Sequence, residues 1–395
     1  MTSVPILQIA ETVEQVAAIR DVWVSMQSHP DADFDFYLTL LNTRSEILRP
    51  HVVTLNENGS PISILIGRVE KVRLTVGMGY RKLSLPSVRC LTLIGTALGD
   101  LSDTHLSALI NSVATALKNK DADVAWFHKV EVNSSLCKIL RGTGGLLSRD
   151  HFPVVNEHWR VKLPATYDQF IRRRSSNTRH NLKRYTKRLQ ESYGDQIAVR
   201  FFRNPRDIDS LMEETEKVAS KTYHRGLKVG FVDDDETRRR MQLYASQDRL
   251  RAYILYIGDK PIAFWNGFHY GSTFFTWTTG YDPDYRDLRP GLFLLQRVFM
   301  DLCGEKTVSE VDFGSGDAQY KRDWCDDNRE EVSMYLFAPN VKGVALNALR
   351  TPLLACSGAA RWGLNKTNLL QRAKKLWRSS LSSGEGAGQH AGNKV

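Results

Sequence analysis

The stretch TTGYDPDYRDLRPGLFLL (residues 278–295) joins two segments of opposite character. Before it, TFFTWTTG (273–280) is rich in aromatic and β-branched residues and predicts a strand; after it, GLFLLQRVFMDL (291–302) repeats apolar residues at helical spacing. A strand-to-helix turn needs Pro or Gly, and Pro290 and Gly291 supply them. It does not need arginine, yet Arg286 and Arg289 stand directly before the helix. A helix start carries unsatisfied N–H donors and a partial positive charge. Gly291 lets a ligand approach the main chain, the N–H of Leu292 follows it, and the two guanidiniums add charge-assisted hydrogen bonds. The loop therefore reads as a pyrophosphate cradle. A plain turn with solvated arginines is the reading that local physics leaves open beside it.

The surroundings of this loop have a counterpart about 200 residues earlier. HVVTLNENGSPISILIGRV (51–69) and RAYILYIGDKPIAFWNGFHYG (251–271) both read as strand, turn and strand, each second strand opening on a proline. An apolar helix follows each, near 105–119 and 291–303, and then a short strand, VAWFHKV (124–130) or SEVDFGS (309–315). A duplicated α+β domain is expected. The copies differ at the loop before the helix, because the first has Asp100 and Asp103 and no basic residue. Between the copies, 165–192 predicts one long helix with sparse apolar positions, so much of its surface faces solvent, ligand or partner.

Composition narrows the class. At 42% hydrophobic and 25% charged residues the chain is of ordinary globular type, with no apolar run long enough to span a membrane. The N-terminus lacks the basic and apolar regions of a secretory signal, and five cysteines without CxxC spacing argue against a disulfide framework or a zinc site. A cytoplasmic protein without a metal is expected. The net charge of +10 is unevenly placed, for residues 341–395 hold nine Lys or Arg and one Glu. That segment alternates Gly, Pro and Ser with short apolar runs, and its end lacks the apolar content to fold. Trp and Leu among its basic residues fit peripheral contact of 341–378 with an anionic inner-membrane surface; packing on the folded body fits equally. A second basic run, Arg172 to Arg188, reads first as a solvated helix face and second as an anion-binding one.

The strand, the R-x-x-(R/P)-G loop, the helix and the next strand resemble the acyl-CoA-binding core of the GNAT acyltransferases. YDPDYRDLRPGLFLL with VDFGSGDAQYKRDW (311–324) looks like the CelD/BioF2-like acetyltransferase domain, a group related to the Fem-type peptidyltransferases. The likeness extends to the basic helix at 171–190 and to SKTYHRGLKVGF (220–231). It implies tandem GNAT-like domains with a mixed, mostly antiparallel sheet flanked by helices. Their bounds are 1–163 for a degenerate first copy, 164–340 for the acyl-CoA-binding copy, and 341–395 for a basic extension with a disordered tail. The loop departs from the usual GNAT pattern in having Pro290 and one glycine, and Fem-type relatives take aminoacyl-tRNA, so both donors stay open.

The resemblance also implies site residues. The parallel strands at 273–280 and 309–314 splay around the pantetheine arm, and N–H groups on the first, about Thr278 and Gly280, polarise the thioester carbonyl. Transfer is direct, in keeping with a sequence lacking G-x-S-x-G and H-E-x-x-H. Tyr320 matches the tyrosine acid and Lys321 the lysine of the family's Tyr-Lys pair. Asp312 alternates with Val311 and Phe313 and so faces the other way; it is a candidate catalytic carboxylate or a structural one. The segment 220–231 lies beside the acceptor by resemblance, with Lys221 and Tyr223 as substrate contacts and His224 as a general base. The expected activity is transfer of an acyl group, acetyl first, from acyl-CoA to an amine or hydroxyl of a small-molecule, glycan or amino-acid acceptor in cell-envelope or exopolysaccharide assembly. A Fem-type aminoacyl-tRNA-dependent transferase and a non-catalytic membrane-associated binding protein are the alternatives.

Overall fold

The computed structural model describes residues 5–78, 81–95, 97–222, 225 and 230–366. The chain opens with β1 (Ile6–Ala10), β2 (Ile47–Pro50), β3 (Val52–Glu57), β4 (Ser60–Leu65), β5 (Gly67–Met78), β6 (Arg81–Ile94), β7 (Leu98–Gly99) and β8 (Val124–Glu131). It continues with β9 (Val154–Lys162), β10 (Ile197–Phe202), β11 (Leu250–Ile257), β12 (Lys260–Tyr270), β13 (Thr273–Tyr281), β14 (Glu310–Ser315) and β15 (Asp327–Phe337). The fold is mixed α+β with mostly antiparallel pairing. Two compact units result, one of residues 1–158 with 328–366, the other of 159–327. The boundaries differ from those expected, since β15 and the residues after it belong to the first unit rather than to a second domain ending at 340.

In the first unit β1-β3-β4-β7 form one antiparallel sheet and β15-β8-β6-β5-β2 another order of strands. The helix Asp103–Lys118 links β6 to β8, which lie parallel over five residues from Cys90↔Val124 to Ile94↔His128. Leu109, Ile110 and Val113 of that helix are fully buried against Leu91, Leu93 and Phe127. The hairpin β5–β6 stands between the expected strand–turn–strand and the helix; its alternation is legible, but charged residues on one side of it disguise a strand pair.

In the second unit the order is β10-β11-β12-β13-β14. The helix Pro290–Gly304 links β13 to β14, again a parallel pair, and buries Phe293, Leu294, Val298, Phe299 and Leu302 against Trp265, Phe274 and Phe313. Each unit thus contains a strand, a helix and a parallel strand, which is the duplication seen in sequence.

One expectation fails. The single helix at 165–192 is two, Tyr167–Arg172 and Ser176–Tyr193. The break has a cause in side chains: Ser175 caps the second helix by accepting from the Thr178 N–H, and buried Arg174 turns in to donate to the Trp324 carbonyl and to Asp326. The start of the basic extension forms a helix, Val341–Lys366, that holds Pro352. Leu346, Asn347 and Arg350 are buried along one side of it within the first unit, the packing that the sequence left open beside membrane contact.

Candidate functional site

The site lies where β13 leaves its neighbours. β13 pairs with β12 without interruption from Thr273 to Thr276, but the register then shifts and Trp277 has no opposite residue. Such a bulge bends and twists its strand. On its other side β13 pairs with β14 only at Thr273↔Glu310, Phe274↔Val311 and Phe275↔Asp312. From Thr276 to Tyr281 the ladder to β14 is open. A parallel pair that parts in this way leaves one edge of β13 open, but the Asp282 N–H donates to the Ile262 carbonyl of β12 at 2.8 Å, so by alternation the N–H groups of Gly280 and Thr278, picked out in the sequence, face β12 and those of Thr279 and Tyr281 face the open edge. In the first unit β6 stays paired with β8 to its last residue, and a Cβ on Gly95, just beyond, would lie 1.8 Å from the His128 carbonyl oxygen. There the gap is closed by backbone.

The helix starts differ in the same sense. In the first unit Ser102 accepts from the His105 N–H and caps its own helix. In the second, Arg289 is the N-cap residue, makes no side-chain cap, and adopts the left-handed conformation (φ 52°, ψ 51°). Its carbonyl accepts from the Leu292 N–H at 2.9 Å, so that donor, expected for a ligand, is used internally. Among the described residues the Gly291 N–H has no partner. A Cβ at Gly291 would meet only Tyr281, at 3.7 Å, so glycine is not demanded there by packing.

Four arginines converge beside this helix start. Arg289 lies 5.4 Å from the ring centre of Tyr185 and Arg184 lies 4.6 Å from it, while Arg188 donates to the Asp287 carbonyl at 3.4 Å. Arg286 is exposed on the same short turn, Pro283–Leu288. Burial raises the pKa of the Tyr185 hydroxyl, but Arg289 and Arg184 together outweigh it and bring that pKa below its ordinary value. The sequence marked 172–188 as basic; the missing information was that Ser175 restarts the helix and sets Arg184 and Arg188 toward the loop.

Asp282, wholly buried at the end of β13, was not foreseen. Its carboxylate accepts from Lys221 at 2.8 Å and from the Asp284 N–H at 3.1 Å, with Lys260 at 3.6 Å. Burial alone would raise its pKa, but Lys221, the Asp284 N–H and Lys260 together lower it. Lys221, expected to touch substrate, is therefore tied to the loop. Tyr223 and His224 lie outside the described residues. Asn266 on β12 is fully buried, donates weakly to the Thr278 hydroxyl at 3.4 Å across the bulge, and leaves its own carbonyl oxygen without a partner among the described residues.

Past β14 the three remaining candidates separate. Tyr320 packs edge-on against Trp265 and Phe313, at 5.9 and 5.8 Å, on the Phe313 face of β14. Asp312 is on the opposite face, as alternation required, and its oxygens accept from Arg160 at 3.0 Å and from the Gly314 N–H at 2.7 Å. Lys321 is buried and its ammonium holds the carbonyls of Gly314 and Ser315, both at 3.0 Å. Asp312 and Lys321 thus brace the turn after β14, in which Gly314 and Gly316 take positive φ. Tyr320 alone of the three presents its ring to the strand pair. Among the described residues no group of His, Cys, Asp and Glu could hold a metal ion.

The sequence from 176 to 322 matches the family model for an acetyltransferase (GNAT) domain. The fold is similar to that of FemX, at 11% identity and a TM-score of 0.54, over 82% of this chain and 96% of that one. It is similar also to L-PGS from Bacillus licheniformis, at 14% identity and 0.50 over 87% and 96%. A third likeness is to the C-terminal domain of an Agrobacterium fabrum protein, at 12% identity and 0.52 over 86% and 97%. A comparison with curated protein sequences finds no match.

Proposed function

We propose that this GNAT-fold protein is an acyltransferase whose second unit takes acyl-CoA, acetyl-CoA first, and passes the acyl group to an amine or hydroxyl acceptor. The observation that carries the proposal is the parting of β13 from β14 after Phe275, with an uncapped, arginine-flanked helix start at its end. The pantetheine arm lies along the open edge of β13, and the Gly291 N–H with Arg289 and Arg286 takes the pyrophosphate. N–H groups on that open edge, Thr279 among them, stabilise the negative charge that develops on the thioester oxygen. The acceptor bonds to the acyl carbon and releases its proton to water, the C–S bond breaks, and Tyr320 gives a proton to the departing sulfur and is reprotonated from water. Lys221, held by Asp282, orients the acceptor segment rather than reacting. Cell-envelope or exopolysaccharide assembly in the cytoplasm, at the inner face of the membrane, is the setting we infer.

A Fem-type reading, with aminoacyl-tRNA as donor, draws support from the exposed basic face of the helix Ser176–Tyr193. Calorimetric titration of the full chain with acetyl-CoA, longer acyl-CoAs and aminoacyl-tRNA separates the two. One acyl-CoA site and no salt-sensitive tRNA binding is expected. Binding of tRNA without acyl-CoA binding, or two acyl-CoA sites, overturns the proposal.

A further inference from the structure

The outer face of the helix Val341–Lys366 is unusual for a surface. Its exposed residues from Gly343 to Cys356 are Ala345, Ala348, Leu349, Pro352 and Cys356, which share one side of the helix and bear no charge. A solvated helix normally places its charged residues on that side. Here Arg350 instead points inward to Asp150, at 2.5 Å, and is nearly fully buried.

The loop beside this face repeats the inversion. Leu146 and Leu147 are 72% and 62% exposed, and Phe152 is exposed with them. The loop is not loose. Asn347, buried on the helix, donates to the carbonyls of Leu147 and Arg149 at 2.9 and 2.8 Å. Asp150, held by Arg350, also accepts from the Phe152 and Tyr335 N–H groups. Buried polar groups are therefore spent on fixing a loop whose apolar side chains face water. Rigid display of leucine and phenylalanine beside an uncharged helix face is the build of an interaction surface.

Charge selects the occupant. Lys138, Arg141 and Arg149 are exposed around the loop. Along the chain, Arg361, Lys366, Arg372, Lys374, Lys375 and Arg378 follow the apolar helix face with no acid among them. Apolar groups that insert and basic groups that flank them match a bilayer with anionic headgroups. We propose that the loop Leu146–Phe152 and the outer helix face from Gly343 to Cys356 dock on an anionic lipid surface, which deepens the membrane setting inferred above by naming the groups that insert.

The test uses the full chain and vesicles of phosphatidylcholine with and without phosphatidylglycerol. The protein should float with the anionic vesicles only, and be released by salt. Leu146→Glu/Leu147→Glu/Leu349→Glu, at three exposed positions, should fold normally and weaken vesicle partitioning by about a hundredfold. Release of free CoA from acetyl-CoA with a soluble acceptor should not change, so loss of docking and failure of the acyltransferase reading give different results. Absence of vesicle binding by the parent protein, or undiminished binding by the triple variant, overturns the proposal. So does a shift from dimer to monomer in light scattering with vesicle binding intact, which would make the face a contact between copies.

Discussion

Arg289→Gly is the sharpest test of the cradle. Arg289 pays for its position, because a left-handed conformation costs a non-glycine residue about 1–2 kcal/mol. Glycine relieves that cost while keeping the backbone path, the Arg286-to-Arg289 turn and the start of the following helix. Folding stability should therefore hold or rise by about 1 kcal/mol in urea unfolding. Acyl-CoA binding should move the other way. Loss of one charge-assisted hydrogen bond of about 1.5–3 kcal/mol weakens Kd by roughly 10- to 150-fold. Calorimetric titration with acetyl-CoA reads this directly. An ultraviolet titration of the phenols provides an internal control, since removal of Arg289 should return Tyr185 toward its ordinary pKa. Unchanged Kd in a folded Arg289→Gly protein refutes the pyrophosphate role. A joint fall of stability and binding would make Arg289 a structural residue instead.

Four other perturbations test the remaining elements. Tyr320→Phe should lower kcat by about 10²- to 10⁴-fold and leave acetyl-CoA affinity unchanged, and an unaltered kcat puts the proton donor elsewhere. Gly95→Ala should destabilise the first unit by about 1–3 kcal/mol or more, because the added carbon meets the His128 carbonyl oxygen. Gly291→Ala has room and should cost no stability, yet weaken acyl-CoA binding; equal affinity would show that no ligand approaches there. Asp282 has a lowered pKa in the folded state, so its contribution is present above the ordinary carboxylate pKa of 3.8 and is lost as pH falls below it. Asp282→Asn should lower stability at neutral pH and flatten the acid limb of the stability profile; an unchanged acid limb removes Asp282 from that role.

The elements that place the site were legible because their signals are local. Alternation gave β13 and β14, apolar periodicity gave the helix after Pro290, and Pro-Gly gave the turn. The same local logic located Arg289 but could not reveal its positive φ, since nothing in the residue type announces a strained backbone. Asp312 faces the way alternation required, and what remained hidden was its partner Arg160, 152 residues away in sequence. The network of Asp282, Lys221 and Lys260 was invisible for the same reason. Reading 165–192 as one helix failed because Arg174, a residue at home in any exposed helix, is drawn into a buried bond with Trp324. The helix Val341–Lys366 was missed because its uncharged outer face and inward Arg350 reverse the usual polarity.

The bulge at Trp277 bears on how the two copies could have diverged. A side chain can be regained by substitution, one codon at a time. A gap held open by an extra residue in one strand cannot, for no replacement within β6 supplies the missing position. The distinction between the open and closed parallel pairs is thus a difference of length, not of letter. Deleting Trp277 should restore even pairing of β13 and zip it toward β14, whereas a single insertion late in β6 would be the shortest route to opening the other. A duplicated domain could then be silenced, or revived, by an indel while every recognisable side chain stays in place.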